Sequence, residues 1–136
     1  MDAALQEALL AARASYQRAA SPQFFSAFYN RLFEVRPDTR PRFANTEFER
    51  QHKLLRHAIG LLLSFPEESD REPTILTRLA ERHSRRDLGV DPSLYPPFLE
   101  SLIDTIKRYD PQCTPAVEQA WRASLAKGFA YMQSRY

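Results

Sequence analysis

Along most of the chain apolar residues recur at spacings of three and four, and nowhere does a two-residue alternation persist. That pattern predicts helices and argues against strands. The opening segment, 2–19, is rich in Ala, Leu, Gln, Glu and Arg, all strong helix formers. Ser21-Pro22 reads as an N-cap followed by a proline at the first helical position. The helix it opens carries Phe25, Phe28, Tyr29, Leu32 and Phe33 on one stripe. Pro37 and Pro41 interrupt, leaving 36–42 as one or two short turns. Thr46 and Glu49 form a capping box for the next helix, which bears Phe48, Gln51, Leu55, Ala58, Ile59 and Leu62 on one face and reaches its limit at Pro66. After a polar loop over 67–72, Pro73-Thr74 leads into a short helix with Ile75, Leu76, Leu79 and His83 inward, and Gly89 ends that region. Asp91-Pro92 opens a helix with Tyr95, Phe98, Leu99, Leu102, Ile103 and Ile106, whose Pro96 and Pro97 fall in the first turns, where proline does least harm. Thr114-Pro115 opens the last helix, bearing Val117, Ala120, Trp121, Leu125, Gly128 and Met132.

Composition narrows the picture. A chain of 136 residues is expected to form one domain, 1–136, large enough to bury a core around a flat cofactor. With 43% hydrophobic and 26% charged residues it has the balance of an ordinary globule. No apolar run approaches the roughly 20 residues of a membrane span, and the first residues lack the look of a secretion signal, so a cytoplasmic location without membrane contact is expected. The single Cys113 cannot form an internal disulfide, in keeping with a reducing compartment. A net charge of +2 gives no reason to expect nucleic acid as a partner. With only three glycines, Gly-rich phosphate loops are essentially excluded.

Of the three histidines, His52, His57 and His83, only His83 lies on an otherwise apolar helical face. A lone histidine in such a place is more often a satisfied core residue than a ligand. Iron porphyrin, however, needs one neutral imidazole on one side and a controlled cavity on the other. Tyr29 and Gln51 each stand on the buried stripe of a separate helix, where apolar residues are otherwise expected. A phenol and an amide brought together can donate hydrogen bonds to a polarised diatomic ligand; alternatively both are boundary residues whose polar tips reach water. Phe43 follows the proline-broken segment as a bulky wedge, and Val90 and Phe98 supply apolar groups close in sequence to His83.

Taken in order, these residues resemble the globin family, specifically bacterial single-domain globins related to the haem domain of flavohaemoglobins. The stretch Phe28-Tyr29-Asn30-Arg31-Leu32-Phe33, then Pro37 and Phe43, is similar to that family's second helix and the turn presenting its haem-wedging phenylalanine. Gln51 with Leu55, ahead of Ala58-Ile59, resembles its distal helix. Leu79 to His83, then Gly89-Val90, Tyr95 and Phe98, resembles its proximal region, and Trp121 matches a tryptophan of its last helix.

The resemblance implies an all-α, three-over-three helical sandwich around one haem b, with His83 as the proximal iron ligand and Tyr29 and Gln51 as distal polar residues. Phe43, Leu55, Leu79, Val90, Tyr95 and Phe98 would surround the porphyrin. A one-residue slip of the distal helix would bring His52 inward as ligand partner or iron ligand. Arg82, Arg85 and Arg86 suit haem propionates, or else form a solvated face. Two departures stand out. The segment 84–94 is slightly longer than in flavohaemoglobin-like globins, and no glutamate follows Trp121 to join a tyrosine, here Tyr95, in activating the proximal histidine. A more neutral imidazole gives less push for O–O cleavage. The expected function is reversible binding of O2, NO or another small diatomic, serving oxygen storage or, as a dioxygenase, NO detoxification. With no flavin or nicotinamide fingerprint in the chain, dioxygenase turnover would need a separate reductase. The rivals are a gas sensor acting through a partner protein and a haem-free helical regulatory module.

Overall fold

The computed structural model describes residues 2–68 and 71–136, and among these no strand occurs. Six α-helices follow in order: α1 (Ala3–Ala19), α2 (Pro22–Val35), α3 (Phe48–Glu68), α4 (Thr77–His83), α5 (Tyr95–Tyr109) and α6 (Pro115–Ser134). Short 3₁₀ turns over Pro37–Phe43 and Pro92–Leu94 join α2 to α3 and lead into α5. Side-chain caps fix several starts. Ser21 accepts from the Phe24 N–H at 3.3 Å, Asp91 from Ser93 at 2.8 Å and Thr114 from Val117 at 3.3 Å, each ahead of a proline. Each cap satisfies a donor that the first turn would otherwise leave unpaired.

Two boundaries differ from the sequence pattern. Thr46 does not cap α3; its N–H is taken by the Phe43 carbonyl at 3.1 Å, and the helix starts at Phe48. Nor does Pro66 end it. Both Phe65 and Pro66 are buried, and the helix runs on to Glu68, because core contact for the ring favours the helical path over a polar loop. Of the expected loop 67–72, Glu67 and Glu68 therefore belong to α3, and residues 69 and 70 lie outside the described residues.

The helices stack as three over three. α1, α3 and α4 form one layer, all seated on α6, while α2 packs along α5 and against α3 in the other. The predicted stripes face inward, with Phe25, Phe28, Ile59, Leu102, Ile103, Ile106, Trp121 and Leu125 almost wholly covered. At one point the layers come unusually close. A Cβ on Gly128 would lie 2.8 Å from Leu62 Cδ2 of α3 and 3.4 Å from Leu76 Cδ1, just ahead of α4. Gly128 thus lets α3 and the approach to α4 converge on α6. Overpacking by Gly128→Val should cost about 2 kcal/mol, read as a lowered urea midpoint at unchanged slope.

From Gly128 the two paths run on with little packing between α3 and α4. Gln51 lies three turns from Leu62, about 16 Å along α3, and His83 two turns from Leu76, about 10 Å along the other path. The fold thereby sets the two candidate polar groups on separate supports in one layer.

Candidate haem pocket

The group around Tyr29 assembles from α2, α3 and the turn between them. Gln51 Nε2 donates to the Tyr29 hydroxyl at 2.9 Å, so two polar residues from separate helices do meet. Burial pushes the Tyr29 phenol up to about 12 against the lowering effect of the Gln51 bond, so it remains protonated at neutral pH. Because its oxygen accepts from Gln51, its own O–H proton stays available for another acceptor. Phe43 leans on the Tyr29 ring with centroids 5.3 Å apart, and Phe28, Phe33 and Phe48 complete an aromatic enclosure. His52 joins it as well, stacked on Tyr29 at 5.9 Å with rings 15° apart and flanked by Phe25 and Phe48. Neighbours in sequence, Gln51 and His52 both face α2, one through the phenol oxygen and the other through the ring face. The choice between them posed by the sequence is therefore not exclusive.

On α4, His83 turns Nδ1 toward the Leu79 carbonyl at 2.7 Å. A carbonyl only accepts, so Nδ1 carries the proton and Nε2 presents its lone pair. Desolvation lowers the His83 pKa, the Leu79 bond raises it, and the Arg82 charge lowers it again, leaving a neutral imidazole at neutral pH. Its backbone carbonyl accepts from the Val90 N–H at 2.9 Å, and Gly89 makes the reversal with φ +62°, a conformation that favours glycine. Tyr95 packs on Phe129 at 5.9 Å, and a main-chain carbonyl holds the imidazole. The arginines lie on an exposed face, where Arg82 pairs with Asp87 at 2.7 Å and Arg85 reaches the main-chain oxygen of Tyr136.

The covering of these residues is uneven in an informative way. Leu55 and Tyr95 are buried, yet Phe43, Leu79, Val90 and Phe98 are only half-buried, as are Gln51 and His83. These four partly uncovered apolar side chains are of the kind that can line a flat apolar group. Among the described residues no cluster of three or more His, Cys, Asp or Glu could hold a metal ion. Sequence reasoning missed Phe129, which packs on both Tyr95 and Phe98, and Phe28, Phe33 and Phe48 as part of the enclosure of Tyr29. Their apolar spacing was visible, but their ring partners on other helices were not.

The structure is a three-over-three helical sandwich with an imidazole on one helix and a phenol–amide pair on two others. The globin family model matches residues 26–132, and the chain belongs to the globin family, whose members typically hold haem. A solved structure from Pseudomonas aeruginosa PAO1, described as structurally highly homologous to a human hemoglobin, is 32% identical with a TM-score of 0.88, over 95% of this chain and 98% of that one. No curated protein sequence matches the chain. No helix among the described residues is long and apolar enough to cross a membrane.

Proposed function

We propose that this chain is a haem b protein that binds O2 reversibly, with NO and CO as further ligands. We also propose that, given electrons by a separate reductase, it removes NO by dioxygenation in a bacterial cytoplasm. The observation that carries this reading is the 2.9 Å Gln51–Tyr29 bond, which leaves a phenolic proton free to be donated on the distal side. Haem iron, when bound, supplies the coordination position for the gas and the electron density that polarises it. Every other contribution comes from the chain. His83 offers Nε2, and its Nδ1–H bond to the Leu79 carbonyl fixes the ring's tautomer and orientation. Phe43, Leu55, Leu79, Val90, Tyr95 and Phe98 wall the group and exclude water. Tyr29 donates to the partial negative charge of the gas, and Gln51 holds the phenol oxygen in place. Kinship with flavohaemoglobin haem domains extends, on this reading, to the distal pair and stops at the proximal side. A carbonyl there in place of a carboxylate gives a less electron-rich imidazole, favouring gas binding over peroxide cleavage.

The distal assignment is tested by O2 release from the reduced protein in stopped flow. Tyr29→Phe should speed release about tenfold, the equivalent of about 1.4 kcal/mol, with a smaller effect for Gln51→Ala. Unchanged rates in both would remove the pair from the site. Rapid NO consumption by the aerobic reduced protein, sustained by an added reductase, supports dioxygenation; a rate no faster than in buffer rejects it.

A further inference from the structure

The helix that bears His83 is tied to the last helix at both ends, and a cleft of about 440 Å³ lies between the two ties. At the first tie the Thr77 and Tyr131 hydroxyls are 2.9 Å apart, Tyr131 donates to Glu72 at 2.8 Å, and Arg135 pairs with Glu72 at 3.0 Å. At the second, the Arg85 N–H donates to the main-chain oxygen of Tyr136 at 3.0 Å and its Nε reaches the same oxygen at 3.3 Å. The Arg85 guanidinium also lies 5.0 Å over the Tyr136 ring. Three guanidinium groups, Arg85, Arg86 and Arg135, border this cleft, together with one acidic side chain, Glu81. Among the described residues Arg86 has no carboxylate partner, unlike Arg18, which holds one, and Arg122, which holds two, whereas Arg85 meets the main-chain oxygen of Tyr136 and Arg135 meets Glu72.

We propose that this cleft is a binding site for a small phosphate-type dianion, held by Arg85, Arg86 and Arg135. Planar guanidinium groups present paired N–H donors that match phosphate oxygens, and their charge persists at any physiological pH. Positive groups lining a concave surface focus the field into it, which favours a compact anion over scattered counterions. One corner already shows the chemistry: a main-chain amide and a guanidinium nitrogen of Arg85 converge on a single acceptor oxygen. An anion in the cleft competes with that oxygen for Arg85 and with Glu72 for Arg135, so its uptake is coupled to both ties on α4. The proposal does not depend on the haem reading, since neither the cleft nor its ligand includes the pocket residues.

The test is calorimetric titration of inorganic pyrophosphate into the purified full chain at neutral pH and about 0.1 M NaCl, where long-range attraction is screened. Saturable one-to-one binding with Kd below about 1 mM is expected, weakened at least tenfold in Arg86→Ala/Arg135→Ala. Arg31→Ala/Arg108→Ala, in the cleft between α2 and α5, should leave it unchanged. Absence of saturable heat, or equal weakening by both double variants, would overturn the site. Capture by vesicles containing phosphatidic acid without any binding of pyrophosphate would overturn its assignment to a small free anion.

Discussion

His83→Gly is expected to lose haem during purification, with the Soret absorbance per protein falling at least tenfold while far-ultraviolet circular dichroism is unchanged. The helix survives because the substitution removes one half-buried side chain near the end of α4 and one hydrogen bond, that to Leu79, worth about 1 kcal/mol. The pocket does not survive as a haem site, because the only other imidazole facing it, His52, is packed between Phe25, Tyr29 and Phe48. Added imidazole should restore the Soret band in His83→Gly, since the vacated space admits the missing ring. That rescue separates a ligand from a packing residue. If His52→Ala, and not His83→Gly, removes the Soret band, the anchor is on α3 and the proposed sides of the pocket are exchanged.

A second large effect is expected far from the pocket. Asp110, at the end of α5, is buried and accepts from Ser15 at 2.6 Å, from Arg18 at 2.7 and 2.9 Å, and from the Gln112 N–H at 2.9 Å. Ser15 in turn accepts from the buried Trp121 indole at 2.9 Å, so one carboxylate joins α1, α5 and α6. Asp110→Ala leaves these donors without their acceptor and should cost about 3 kcal/mol, seen as a fall in Tm of about 10 °C. The Arg18 bond, with help from Ser15 and Gln112 and against the cost of burial, holds the carboxyl at about 2, below its ordinary 3.8. A folded pKa below the unfolded one adds stability that is complete above about pH 5 and disappears as the pH falls through 2. The shift corresponds to about 2 kcal/mol. The stability gap between the native chain and Asp110→Asn should therefore be constant from pH 5 to 8 and narrow on acidification. A gap that widens toward acid would refute the assignment.

These two regions show where a sequence can be read and where it cannot. Ser21, Asp91 and Thr114 are legible as helix starts because capping is local chemistry, completed within three residues. The stripe of α2 is legible because periodicity reports which face is covered, and it put Tyr29 inside. Tyr29 and Gln51 also stood out, being polar where the stripe is apolar. Thr46 reads as a cap in the sequence, but a turn closed by its N–H on the Phe43 carbonyl precedes the helix, which starts only at Phe48, and spacing does not display that turn. The span of α3 past Pro66 and the Tyr29–His52 stacking both depend on contacts with other helices. The Ser15–Asp110–Trp121 group is the extreme case, linking residues 95 and 106 positions apart through side chains that look like ordinary surface and core residues in isolation.

The brevity of α4 has a consequence for how the molecule breathes. Seven residues make about two turns, well below the length at which a helix persists unaided in water. Its order comes from α6, while α3 gives it almost no support. The chain therefore divides into two tiers of opening free energy: a slow-exchanging body where α1 and α5 clasp α6, and a segment from residue 71 to 91 that opens first. Amide exchange would register the tiers directly, and any partner that seals the gap beside α4 would raise the lower one toward the upper.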